Sequence, residues 1–141
     1  MVSPSQQLAQ AHQQLRRRLD EVRTALGHRR PGHDALLTHC LTFCAALGAH
    51  HQDEDDDVFT RLQRVYPELE PTIAKLVEDH VLIAAILSQV RELADGAAAA
   101  DGAVLEAVGR ELDGLAAIME SHFRYEERAI GAALDGVSSR P

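Results

Sequence analysis

Apolar residues recur along this chain every three or four positions, in four long runs at about 4–27, 34–64, 71–94 and 102–134. That spacing lays one stripe along one face of an α-helix, whereas a half-buried strand would alternate with period two. Between the runs stand "HRRPGH" (28–33), "YPELEP" (66–71) and "DGAAAADG" (95–102), whose Pro-Gly, paired prolines and Asp-Gly steps are turn signals. Ser3 can cap the first helix with Pro4 at its first position, Asp34 is a possible cap for the second, and Pro71 suits the first turn of the third. Four amphipathic helices with short connections pack as an antiparallel up-down-up-down bundle. The pattern therefore predicts an all-α fold, with residues 1–141 forming a single domain.

The stripes are not wholly apolar. The first runs Leu8, His12, Leu15, Leu19, Val22, Leu26, and the second Leu36, Cys40, Phe43, Leu47, His50, Glu54, Val58, Leu62. The third is Ile73, Leu76, His80, Ile83, Leu87, Val90, and the fourth Leu105, Val108, Leu112, Leu115, Met119, His122, Glu126, Ile130. Each stripe is broken by one histidine, and two add a glutamate one turn later. Measured from the end of the bundle shared by all four helices, His12, His50 and His80 lie roughly 15–16 residues away, ~23 Å at the rise of an α-helix. His122 lies roughly 20 residues away, ~30 Å on the same rise, on the far side of a longer connection. The four imidazoles can meet in one layer.

A His-x-x-x-acid spacing alone is weak, since about one such pair is expected by chance at this composition. Here there are three: His50/Glu54, His51/Asp55 and His122/Glu126. Two of them interrupt apolar stripes that carry no Lys or Arg. A buried carboxylate costs several kcal/mol unless paired or bound to metal, so the set calls for a cation. In "HHQDEDDDVF" (50–59) successive residues fan around the helix by about 100°. Glu54 falls on the stripe, while Asp53, Asp56 and Asp57 fall on a solvated face. His51 and Asp55 fall on the flank beside Leu37, Leu41 and Cys44, at the bundle edge or just outside a metal's ligands, with direct ligation as the lesser alternative. Tyr125 could donate a hydrogen bond to a ligand or itself ligate, and Glu127 would serve only with a shifted register. His28, His33 and His39 read as surface residues.

Composition narrows the picture. Hydrophobic residues make up 45% and aromatics 4%, without Trp, so the core is built from Leu, Ala, Val and Ile, which favours helices. The formal charge of −8 argues against nucleic acid as a partner, despite "RRR" at 16–18. No run reaches the ~18 apolar residues of a membrane span, and the polar start "MVSPSQQLAQ" lacks the apolar middle of a signal peptide. A cytoplasmic protein is expected. Cys40 and Cys44, four apart in one helix, read as small buried side chains rather than a disulfide.

The placement of His12, of "HHQDE" with His50 and Glu54, of "EDH" with His80, and of "HFRYEE" with His122 and Glu126 resembles the hemerythrin-like (HHE cation-binding) domains. The likeness covers nearly the whole chain and extends to the "YPEL" turn. It implies two non-heme iron ions inside a hemerythrin-like bundle. One would be held by His12 and His50 and the other by His80 and His122, with Glu54 and Glu126 bridging them beside an oxo or hydroxo group. Oxygen carriers of this kind have a second His four residues after that of the third helix, where this chain has Ala84. Their fourth helix spaces His and Asp by five, where this chain has His122 and Glu126. The difference implies an open coordination position and chemistry on hydrogen peroxide, oxygen or nitric oxide rather than oxygen storage. The competing expectations are a sensing module that signals oxygen, nitric oxide or iron to a protein partner, a storage module, and a site for one metal or for zinc, which His and Glu also ligate.

Overall fold

The computed structural model describes residues 2–28, 33–95 and 102–138. α1 (Pro4–His28) begins with a reciprocal cap: the Gln6 amide donates to Ser3 Oγ at 3.2 Å and the Ser3 amide to Gln6 Oε1 at 3.0 Å. The same end is tied across the bundle, because the Ser5 amide and hydroxyl both donate to the Asp135 carboxylate, at 2.9 and 2.7 Å. The second long run folds as α2 (His33–Asp53), a π-helical turn (Glu54–Val58) and α3 (Phe59–Val65), end to end. Asp34 thus stands inside the first turn of α2, and its side chain lies outside the described residues, as do those of Leu36 and Leu37. The expected turns at 28–33 and 95–102 fall mostly on 29–32 and 96–101, also outside them.

The chain reverses at Tyr66, whose backbone (φ −125°, ψ 79°) leaves the helical region as a residue before proline tends to, and passes through a 3₁₀ turn (Pro67–Leu69). α4 (Glu70–Asp95) follows, with Pro71 in its first turn, where its missing N–H leaves no broken hydrogen bond. α5 (Gly102–Ser138) runs the full length of the bundle. Near its end Gly136 makes room for the turn: a Cβ there would stand 2.2 Å from the Tyr66 hydroxyl.

α5 packs against α1 and α4, α2 packs against the same two helices, and α3 reaches α4 and α5. This is an all-α, four-helix bundle, with no strand among the described residues. Its core is divided. A long apolar cluster holds residues such as Leu19, Phe43, Leu47, Ile83, Leu112 and Met119, and a short one holds Phe59, Leu62, Ile73, Leu76 and Ile130. Buried between them is a polar layer from all four rods: His12, His51, Glu54, His80, His122 and Glu126.

The π turn changes the second stripe. The Phe59 amide donates to the Glu54 carbonyl five residues back, so one extra residue is taken up in that turn. Beyond it Phe59 is buried and Val58 only half so, the reverse of the uninterrupted 3–4 spacing, and the stripe then continues at Leu62.

Candidate metal centre

Each of the six expected residues reaches the polar layer. On α1, His12 is fully buried, its ring stacked on Phe123 of α5 at 3.8 Å between centroids. On α2, His50 retains 18% side-chain exposure, and Glu54 opens the π turn with its carboxylate inward. α4 supplies His80, and α5 supplies His122 and Glu126 one turn apart. His12 lies beside His50 (5.3 Å between centroids) and His80 beside His122 (4.8 Å). The two carboxylates lie between these pairs. Glu54 points Oε2 at His50 Nε2 (3.6 Å) and Oε1 at His80 Nε2 (3.3 Å). Glu126 points Oε1 at His12 Nε2 (3.0 Å) and Oε2 at His122 Nε2 (3.6 Å).

A seventh residue belongs to the layer. His51, expected on the flank, is 6% exposed and stacks on His80 at 3.8 Å. Two sets of donor atoms result, each lying within 4.8 Å of one another: His51, Glu54, His80 and His122, and His12, His50, Glu54 and Glu126. Glu54 belongs to both. Ala84 is exposed on α4, and the third imidazole beside His80 and His122 is that of His51 from α2.

Three further carboxylates hold the imidazoles from outside. His12 Nδ1 donates to Glu127 (2.8 Å), His80 Nδ1 to Asp55 (2.8 Å) and His122 Nδ1 to Asp79 (3.1 Å). Glu127 therefore acts through His12 without a shifted register, and Asp55 sits just outside the donor layer. Tyr125 packs against the short apolar cluster. Asp79 and Phe123 had no sequence signal beyond adjacency to His80 and His122.

The outward hydrogen bonds fix the chemistry of the inner face. A neutral ring that donates from Nδ1 presents a bare lone pair at Nε2. His12 Nε2 then faces a carboxylate oxygen at 3.0 Å, and His80 and His122 face each other at 3.1 Å between Nε2 atoms, acceptor to acceptor. Nε2 of His12, His50 and His51, Glu54 Oε1 and both Glu126 oxygens are buried without a hydrogen-bond partner. A cation in the layer satisfies these atoms together, so the residues present fit a metal.

Electrostatics agree. Burial, aided by the neighbouring His12, lowers the His50 pKa to about 4; burial with the neighbouring His80 and His122 lowers His51 to about 2. Burial also lowers His80, against the pull of Asp55. Burial and the facing Glu126 raise Glu54 to about 11. Burial would raise Glu126 too, but the close approach of His12 and Glu54, with His122 beyond, outweighs it and its net shift is downward. Without a metal, the two facing carboxyls cannot both ionise freely, and a proton is held between them.

No helix among the described residues is long and apolar enough to cross a membrane. Comparison with curated proteins and with solved structures gives no match. The family model of the hemerythrin HHE cation binding domain matches residues 3–134. With nearly its whole length matched and a buried His/Glu cluster in its core, the chain belongs to the hemerythrin HHE family and is a metal-binding, hemerythrin-like protein.

Proposed function

We propose that this chain holds two non-heme iron ions and reacts with small oxidants, hydrogen peroxide foremost, with oxygen and nitric oxide as related ligands. The observation that carries this reading is the split of each central carboxylate, one oxygen toward each histidine pair, which suits Glu54 and Glu126 to bridge two ions. His12 and His50 complete one position, and His51, His80 and His122 the other. Iron supplies Lewis acidity and reversible one-electron change. Asp55, Asp79 and Glu127 orient their imidazoles and make them better donors. Phe59 and Phe123, against His80 and His12, keep water from the rings. His12, His50, Glu54 and Glu126 would hold one ion with four protein donors, and an ion held so would have room for a small ligand. This position is also the more accessible one, because His50 is 18% exposed and the other inner side chains 6% or less.

The test is metal analysis and absorption spectroscopy of iron-loaded protein, with peroxide turnover followed at an oxygen electrode. Two irons per chain, near-ultraviolet oxo-bridge bands and oxygen release above that of free iron are expected. Turnover no greater than that of free iron would remove the peroxide reading.

One observation favours a second reading, a sensor acting through a protein partner. α4, which carries His80, exposes Val77 (37%), Val81 (66%) and Leu82 (51%) to solvent. A sensor would change the environment of these residues when the centre binds nitric oxide or oxygen, as hydrogen exchange along α4 would report.

A further inference from the structure

The three carboxylates behind the imidazoles are not equivalent. Asp79 accepts from His122 on Oδ2 and meets Lys75 with its other oxygen, Oδ1. Asp55 accepts from His80, and among the described residues no Lys or Arg is paired with it. Glu127 takes the ring and a cation on one atom: Oε2 accepts from His12 Nδ1 at 2.8 Å and lies 3.6 Å from Arg16 Nη2. That guanidinium is fixed from several directions. Its Nε and Nη2 donate to Glu120 at 2.7 and 3.4 Å, and its Nη1 donates to Gln13 at 3.3 Å. Its central carbon lies 5.3 Å from the centroid of Phe123, the ring on which His12 is stacked.

A half-exposed ion pair between two helices adds little stability, and a tie between α1 and α5 needs no such orientation toward Glu127. The electrical effect is larger. His12 is fully buried, and a charge acting on a buried group is screened much less than one facing water. A carboxylate that draws on the Nδ1 proton makes the ring a stronger donor at Nε2. A cation on the same oxygen takes up part of that charge and weakens the pull.

We infer that Arg16 is a positioning residue for the centre: it keeps Glu127 Oε2 on His12 Nδ1 and limits the charge that this oxygen passes to the ring, which holds the iron bound by His12 at a higher reduction potential than a free carboxylate would. The inference rests on the two-iron reading above, and its test has one arm that needs no metal. In metal-free protein the His12 Nδ1 proton is followed by isotope-edited NMR at fixed pH. In iron-loaded protein the midpoint potential is measured by spectroelectrochemistry.

Arg16→Gln should move the proton resonance downfield, as in a stronger hydrogen bond, and lower the potential. Arg16→Lys should stay near wild type in both. Glu127→Gln, whose amide is a weaker acceptor, should move both in the opposite sense. Arg124→Gln removes another cation from Glu120, one that is 74% exposed, and should move neither. With Glu127→Gln already present, Arg16→Gln should lose most of its effect. Arg16→Met serves if the glutamine variant lacks the wild-type helical circular dichroism. An unmoved potential in Arg16→Gln with two irons bound, or a shift as large when Glu127→Gln is present, would overturn the inference and leave the two-iron reading standing. Fewer than two irons per chain in wild type would overturn that reading, while the proton resonance would still decide whether Arg16 governs the charge on His12.

Discussion

Metal uptake should expel one proton per chain, and that proton should come from Glu54. At pH 7.5 a carboxyl raised to about 11 is protonated, while imidazoles lowered to about 4 and about 2 are not. An ion in either position needs the Glu54 carboxylate, so the whole proton should leave with the first equivalent and none with the second. Displacing it at pH 7.5 costs roughly 5 kcal/mol, at about 1.4 kcal/mol per pKa unit. The ion's own binding free energy must exceed that cost, so apparent affinity should be lower at neutral than at alkaline pH. The assay is titration of metal-free protein with Mn²⁺, whose bound water is a weak acid, in dilute buffer with an indicator dye. Apparent affinity should rise about tenfold per pH unit between pH 6 and 9, the slope for one displaced proton. In Glu54→Gln, at metal concentrations that still fill the site, release should vanish. A wild type that binds Mn²⁺ with no proton release, or a Glu54→Gln that still releases one, would refute the assignment. Release of two or three protons would mean that further groups of the layer start protonated, and would overturn the count of one.

The stability of the metal-free protein should peak near pH 6.5. His50 and His51 have folded pKa values below their ordinary 6.5, so the stability they confer is present above that pH and lost as pH falls toward 4 and 2, whereas the raised Glu54 loses its contribution as pH climbs from 4.5 toward 11. Iron loading should abolish the alkaline limb and raise the melting temperature, and scanning calorimetry of both forms across pH would show a matching alkaline decline if this is wrong. Asp55→Asn, Asp79→Asn and Glu127→Gln should each weaken iron binding by about 10–100-fold, while Asp56→Ala on the exposed face should not, as competition with a chelator would report. Gly136→Ala should cost about 1–3 kcal/mol, the usual range for overpacking, because its Cβ meets the Tyr66 hydroxyl; Tyr66→Phe should restore part of the loss in urea unfolding, and an unchanged midpoint for Gly136→Ala would show that the turn moves freely.

The bundle was legible because its signals are local and redundant. Ser3 and Pro4 mark a helix start in two residues, and the stripes through Leu15, Leu19 and Val22 or Ile83, Leu87 and Val90 repeat often enough to outvote exceptions. The polar layer was legible for a related reason: His12, His80 and His122 interrupt such stripes, and a lone polar residue in an apolar run needs a partner. Asp79 and Glu127 were not, because an outward-lying acid beside a buried histidine looks like any surface acid until a ring nitrogen is seen to point at it. Phe59 was hidden by the π turn, which no 3–4 count anticipates.

His51 was missed for a reason that also explains why Glu54 is shared. On a helix a residue's neighbours toward the N-terminus are those three and four positions back. For Glu54 these are His51 and His50. The two histidines diverge by about 100° around the axis, so each turns to a different side of the inward direction, His50 toward His12 and His51 toward His80. Glu54 lies over both and divides its oxygens between the two sides. Counting only four-residue spacings finds His50 and discards His51; counting three as well recovers both and predicts a carboxylate poised between two groups. The π turn that Glu54 opens then lets the helix pass the widened layer and bring Phe59 back to the core under His80. A register shift at the carboxylate thus accommodates two adjacent inward imidazoles within an otherwise apolar rod.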